Sequence, residues 1–120
     1  MLQYEIEVTE QAEKDLNAIL EYISVELQVP EIAIAQLKRI QESIFALAKM
    51  PERGAIVKRE PWKSRQVRFL PVDHFLVYYF IHKTEKKVFI VRVLYGRRDQ
   101  EKQLTMIKEE SGTGNKNYIV

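Results

Sequence analysis

The sequence predicts an α+β fold of two layers in the order β-α-α-β-β-β, with a helical hairpin covering one face of an antiparallel sheet. Three observations carry this reading: a period-2 strand opens the chain, two apolar stripes of helical spacing lie on either side of a proline, and apolar runs rich in Val, Ile, Phe and Tyr fill residues 66–95. Helices with one apolar stripe each must bury it, and a sheet made of consecutive hairpins offers them a common face. The opposite sheet face is then left available.

Each element has a local cause. Residues 4–8 alternate Tyr, Glu, Ile, Glu and Val, the pattern of a short strand with one wet face. Thr9 is placed to cap the first helix, along which Ala12, Leu16, Ile19, Ile23 and Leu27 recur at spacings of three and four. Glu10, Glu13 and Asp15 fall in its first turns, where carboxylates complement the helix dipole. Gln28-Val29-Pro30 interrupts the stripe, and proline suits the first turn of a second helix carrying Ala33, Leu37, Ile40, Ile44 and Leu47. Met50-Pro51-Glu52-Arg53-Gly54 reads as a turn. Strands are expected over residues 66–70, 75–81 and 88–95, separated by Pro71-Val72-Asp73-His74 and by Lys83-Thr84-Glu85-Lys86-Lys87. Tyr78 and Tyr79 alternate across the sheet, which predicts one in the core and one exposed, while Trp62 is expected to fill the helix-sheet seam. A short helix is expected after Asp99 and a loose tail from Ser111, so the chain reads as one domain over residues 1–108 followed by a tail over 109–120.

Charge is divided along the chain. Residues 1–52 hold four Lys or Arg against ten Asp or Glu, whereas residues 53–98 hold twelve against three, so a net charge of +2 conceals a strongly basic sheet region. Such a region suits a polyanion or an acidic protein surface, or is simply a solvated face. With no cysteine there is no disulfide, thiolate nucleophile or Cys-based zinc site. No leader-like start and no membrane-spanning run is visible, so a cytoplasmic protein is expected, with no membrane partner.

The pieces in this order resemble the RelE/ParE superfamily of type II toxins, also called plasmid stabilisation proteins. The carriers are the strand at residues 4–8, the AxxDLxxIxxYI helix at Ala12, Asp15, Leu16, Ile19, Tyr22 and Ile23, the Ala-rich second helix ending in Leu47 and Pro51, VRFLPVDHFLVYYFI at residues 67–81, and VFIVRVLYGRRD at residues 88–99. One branch of that superfamily comprises ribosome-dependent endoribonucleases that cut messenger RNA; the other, ParE-like, poisons DNA gyrase without a recognised nuclease site. Nuclease members place an arginine just before the turn into the third strand and often a tyrosine late in the chain, where this sequence has Leu70 and Leu104. Arg98 matches the arginine after the last strand, and the spelling VRxxPVxxFLVYY followed by VLYGRRD is similar to ParE. The resemblance thus implies a ParE-like toxin that inhibits DNA gyrase by binding it and is neutralised by a cognate antitoxin. Its alternatives are a messenger-RNA endoribonuclease working on the ribosome, and an inactive relic that acts only in an antitoxin-bound repressor complex.

Under the ribonuclease alternative the chemistry is metal-independent: a base for the 2'-hydroxyl, cations for the phosphorane-like charge and an acid for the leaving oxygen. Arg68, Arg97 and Arg98 would stabilise charge, with His74, His82 or Tyr95 as proton carriers, although arginine itself is a poor base. Plainer roles stand beside these. Arg68 and Arg92 can pair across strands or bridge Asp73 and Glu85, both histidines sit where surface turns are expected, and they make no credible metal site. No cofactor is implied. Lys58, Arg59, Lys63, Arg65, Arg97 and Arg98 are the candidates for contact with a target or with phosphate, and Arg97-Arg98 follows Gly96 where the backbone can turn and project both side chains past the sheet; a surface pairing of Arg98 with Asp99 or Glu101 is the alternative. For the antitoxin, the resemblance implies docking on the helical hairpin, at Leu16, Leu20, Ile23 and Leu27.

Overall fold

The computed structural model describes residues 3–96. Strand β1 (Glu5–Val8), helix α1 (Glu10–Glu21), a π-helical turn (Tyr22–Glu26), helix α2 (Pro30–Ala46), a 3-10 turn (Pro51–Arg53) and strands β2 (Ala55–Ile56), β3 (Arg68–Val72), β4 (Phe75–His82) and β5 (Lys87–Tyr95) follow one another. They build a five-stranded sheet in the order β1-β5-β4-β3-β2 with the helices on one face. The two-layer α+β prediction therefore holds, with two additions. β2 is a two-residue strand too short to leave a periodic signal, and β1 runs parallel to β5, with the helical hairpin and strands β2 to β4 lying between them in the chain.

Thr9 starts α1 and also attaches it to the sheet. Its hydroxyl oxygen accepts from Ala12 N at 3.3 Å, and the same hydroxyl donates to Ile90 O at 2.8 Å. β1 pairs with β5 only as far as Val8↔Ile90, so α1 takes over the β5 edge from that point. Asp15 does this. It lies on the buried side of α1, three residues after Ala12, and its Oδ2 accepts both Arg92 Nε at 2.8 Å and Val93 N at 2.9 Å, while Oδ1 accepts Arg92 Nη2 at 3.0 Å. The sequence suggested a helix-dipole carboxylate for Asp15 and an Asp73 or Glu85 partner for Arg92; the buried fork between Asp15 and Arg92 replaces both. Asp73 instead accepts from Arg39 Nε at 2.7 Å and Gln36 Nε2 at 2.9 Å, which ties α2 to the turn before β4.

The first apolar stripe stops short of Leu27. After Glu21 the backbone widens into the π turn, with the Ser24 hydroxyl donating to Leu20 O, and Gln28 reverses the chain at φ 56°. Leu27 is left half exposed, whereas Pro30 begins α2 as expected and Ala33, Ile40, Ile44 and Leu47 are buried. The β3–β4 turn is shorter than predicted. Pro71 and Val72 belong to β3, beyond the point where β2 stops pairing at Phe69, and an edge stretch without a neighbour tolerates a residue that lacks an N–H.

Both sheet faces are covered, so the expectation of an open face fails. Residues 57–67 fold back over the face away from the helices and bury Val57, Trp62 and Val67 against Leu76, Tyr78 and Val91. Trp62 thus fills this second core rather than the helix-sheet seam. Tyr78 and Tyr79 point to opposite faces as strand alternation demands, and both are fully buried because each face has its own cover. Tyr79 reaches the turn before β2: its hydroxyl accepts from Gly54 N and donates to Pro51 O, each at 2.8 Å. Gly54 is required there, since a Cβ would lie 2.7 Å from both Phe69 O and the Tyr79 hydroxyl.

Two outcomes test these anchors in urea denaturation. Asp15→Ala leaves the Arg92 guanidinium buried without its carboxylate and should cost roughly 3–5 kcal/mol, whereas replacing both partners by apolar residues should cost less. Tyr79→Phe strands a buried N–H and should cost roughly 1–3 kcal/mol. Gly54→Ala, which forces backbone apart, should cost at least as much, with β2 exchanging its amide protons first.

Candidate functional site: an apolar groove and a basic loop

The helix side of the molecule carries a groove of about 630 Å³ between the end of the hairpin and the end of β5. One wall is Ile19, Tyr22, Ile23 and Leu27; the other is His74, Phe75, Val93 and Tyr95. Its apolar character is not spent on the fold, because Tyr22, Leu27 and Tyr95 remain 57%, 51% and 68% exposed. Tyr95 is nonetheless placed: it meets Phe75 edge-on with ring centroids 5.4 Å apart and leans on His74 at 6.3 Å. Beside it, Gly96 N donates to His74 O at 3.0 Å, which fixes where the chain leaves β5. Asp73, at φ 56° in the same turn, has its carboxyl held below the ordinary range by the hydrogen bonds from Arg39 and Gln36. The hairpin around the groove is acidic, with Glu21, Glu26 and Glu31 exposed and no Lys or Arg from Asp15 to Leu37.

The four leucine and isoleucine positions expected to receive a partner are divided by this geometry. Ile23 and Leu27 line the groove, Leu16 packs into the helix-side core, and Leu20 lies in a shallow depression with Lys14, Asn17 and Ser24 on the outer side of α1. Tyr22 and Tyr95 were missed. Tyr22 was legible only as a motif letter, and Tyr95 as the last residue of a strand and a candidate proton carrier; what makes them a pair is that the end of β5 comes to lie beside the hairpin.

On the other side, the 57–67 loop separates its residues by type. Val57, Trp62 and Val67 point in, while Lys58, Arg59, Lys63 and Arg65 are exposed. Arg65 lies over the Trp62 ring at 5.8 Å, and backbone hydrogen bonds from Lys63 N to Arg59 O, Arg65 N to Pro61 O and Val67 N to Trp62 O wind the loop into consecutive turns. Glu60 braces it internally: its Oε1 accepts from the Ser64 hydroxyl at 2.6 Å and Ser64 N at 3.1 Å, and these bonds lower its pKa.

Among the described ribonuclease candidates, His74 and Tyr95 lie against each other, whereas Arg68 is engaged elsewhere. Arg68 Nη1 donates to Gly54 O at 2.6 Å and Glu52 O at 3.3 Å, so the guanidinium holds the turn before β2 instead of pairing with Arg92. The neighbouring Tyr79 phenol is bound at both ends, and burial raises its pKa, the reverse of what a proton acceptor needs. His74 and His82 stand at opposite ends of β4, roughly 26 Å apart by strand rise, with His82 Nδ1 accepting from Glu85 N at 3.2 Å. Arg97, Arg98, the helix expected after Asp99 and the tail lie outside the described residues. No helix among the described residues is long and apolar enough to cross a membrane.

Comparison with known proteins agrees with this architecture. No curated protein matches at the level of sequence. Among solved structures, the chromosomal ParDE system of Pseudomonas aeruginosa aligns at TM-score 0.64 and 24% identity over 79% of this chain and 98% of the other. The RelBE2 toxin-antitoxin complex of Mycobacterium tuberculosis aligns at 0.58 and 23% over 78% and 99%, and a mutant of Escherichia coli toxin RelE in the free state at 0.56 and 11% over 82% and 90%. At these identities the likeness establishes a common fold. The family model for the ParE toxin of type II toxin-antitoxin systems matches residues 6–100, which covers every described strand and helix but the first residue of β1. The chain therefore belongs to the ParE toxin family within the RelE/ParE superfamily of type II toxins.

Proposed function

We propose that this ParE-family toxin inhibits DNA gyrase by binding it, without cutting nucleic acid, and that a cognate antitoxin neutralises it. The observation that carries the non-nucleolytic half is the state of Arg68. A guanidinium committed to two backbone carbonyls, beside a phenol whose hydroxyl both donates and accepts, offers no cation-base pair at this position among the described residues to activate a 2'-hydroxyl. The ParE family match supports gyrase as the target, and the Pseudomonas and Mycobacterium relatives, both toxin-antitoxin systems, support an antitoxin partner.

The groove gives the antitoxin a place to dock. Ile23 and Leu27 from the original expectation, joined by Tyr22 and Tyr95, offer an apolar slot of the kind that receives anchor side chains from a helix or an extended segment. With Glu21, Glu26 and Glu31 around it, the best-matched segment brings bulky apolar anchors flanked by Lys or Arg rather than by carboxylates.

Two measurements bear on this reading. Purified toxin should block supercoiling by gyrase in vitro and leave ribosome-bound messenger RNA intact; codon-specific cleavage in the second assay would replace the reading with the ribonuclease one. Tyr22→Ser with Tyr95→Ser removes two exposed rings and should leave the thermal midpoint within a few degrees while weakening capture by the cognate antitoxin at least about tenfold, as loss of central aromatic anchors does. Unchanged capture would move the docking site elsewhere.

A further inference from the structure

Resting on the reading of this chain as a toxin that binds its target, we infer that the 57–67 loop is the target-recognition element and that what it recognises is a carboxylate-rich protein surface. The loop differs from an ordinary solvated basic stretch in being built. Trp62, 4% exposed, plugs it into the second core with Val57 and Val67, and Arg65 lies across the indole instead of sweeping freely through solvent. Four cations are thereby carried on a short, internally hydrogen-bonded frame, which lowers the ordering cost of pairing them with a partner. The loop's own carboxylate, Glu60, spends Oε1 on the hydroxyl and N–H of Ser64.

The same features favour protein over nucleic acid. Proteins that hold single strands add stacking platforms to their cations, yet Trp62, the loop's one aromatic, is buried and its ring is covered by Arg65. No histidine lies within the loop to work on a bound phosphodiester. Pairing four exposed cations with carboxylates would make encounter fast and salt-dependent, the behaviour expected of an inhibitor that must find a large acidic surface.

The test uses a full-length variant in which Lys58, Arg59, Lys63 and Arg65 are all alanine, with a thermal midpoint close to that of the parent as the check on folding. Purified gyrase is titrated with each protein, and both are expressed in cells lacking the antitoxin with growth and transcript integrity followed. The expected result is at least about a tenfold loss of inhibition by the variant, together with a parent potency that falls as salt rises from about 50 to 200 mM. Equal inhibition by variant and parent overturns the inference while leaving gyrase as the target. If the parent does not inhibit gyrase, that reading fails and the cells decide: growth arrest by the parent with transcripts intact, lost in the variant, sustains a carboxylate-rich protein as the partner. Transcripts cut by the parent and spared by the variant overturn it in favour of RNA, and arrest that survives in the variant overturns it outright.

Discussion

Everything on the helix side is referred to one buried interaction, the carboxylate of Asp15 shared between the Arg92 guanidinium and the Val93 amide. β1 is four residues long and stops pairing with β5 at Ile90, which would leave the rest of β5 with an open edge in the middle of the core. An unpaired edge amide buried under a helix costs free energy that packing alone does not return. Asp15 solves this by reaching from α1 as a surrogate for the missing strand, and Arg92 neutralises the charge so introduced. The bidentate geometry fixes the position of α1 along β5 and, through it, the distance between Tyr22 at the hairpin and Tyr95 at the end of β5. The groove is a consequence of that distance.

The second constraint is that this small domain uses both faces of its sheet. Helices cover one and the Trp62 loop covers the other, with Tyr79 and Tyr78 as the corresponding buried side chains. The bulge between the Tyr78 and Tyr79 pairings adds a residue to β5 and shifts the outward-facing groups of the strand, so that Val93 rather than Arg92 presents its amide to Asp15. Sheet irregularity and helix attachment are therefore parts of one arrangement.

What could be read in the sequence follows from this. Elements with their own period were legible: β1, α2, β4 and β5 begin and end close to where alternation, stripe and proline put them, and α1 begins after Thr9 as expected but gives way to the π turn after Glu21. Elements defined by partners were not. β2 is two residues held by Phe69 and Arg68, the 57–67 loop has no period because its inward residues are spaced at five, and Asp15 looks like any acidic residue near a helix start until Arg92 is brought to it from 77 positions away. Pro71 was a misleading signal, because an edge strand accommodates a proline whose missing N–H faces away from its one neighbour. Site residues divided in the same way. Lys58, Arg59, Lys63 and Arg65 share one short segment, so charge alone marks them as candidates, whereas the candidate groove combines residues from the hairpin, the β3–β4 turn and β5, and only Ile23 and Leu27 of it were anticipated.

The separation of groove from basic loop constrains how neutralisation works. The groove opens on the helix side, and the four exposed cations belong to the loop that covers the other sheet face. On the proposed reading, a partner segment that fills the groove would leave the loop uncovered and would gain affinity there without by itself blocking an acidic target. Masking the loop as well would take additional chain, because the loop lies over the sheet face opposite the helices. Such a segment would change chemistry along its length, from apolar anchors with cationic flanks at the groove to carboxylates at the loop. The divided charge of the toxin, acidic in its first half and basic in its second, thereby fixes the charge order of the chain that would wrap it.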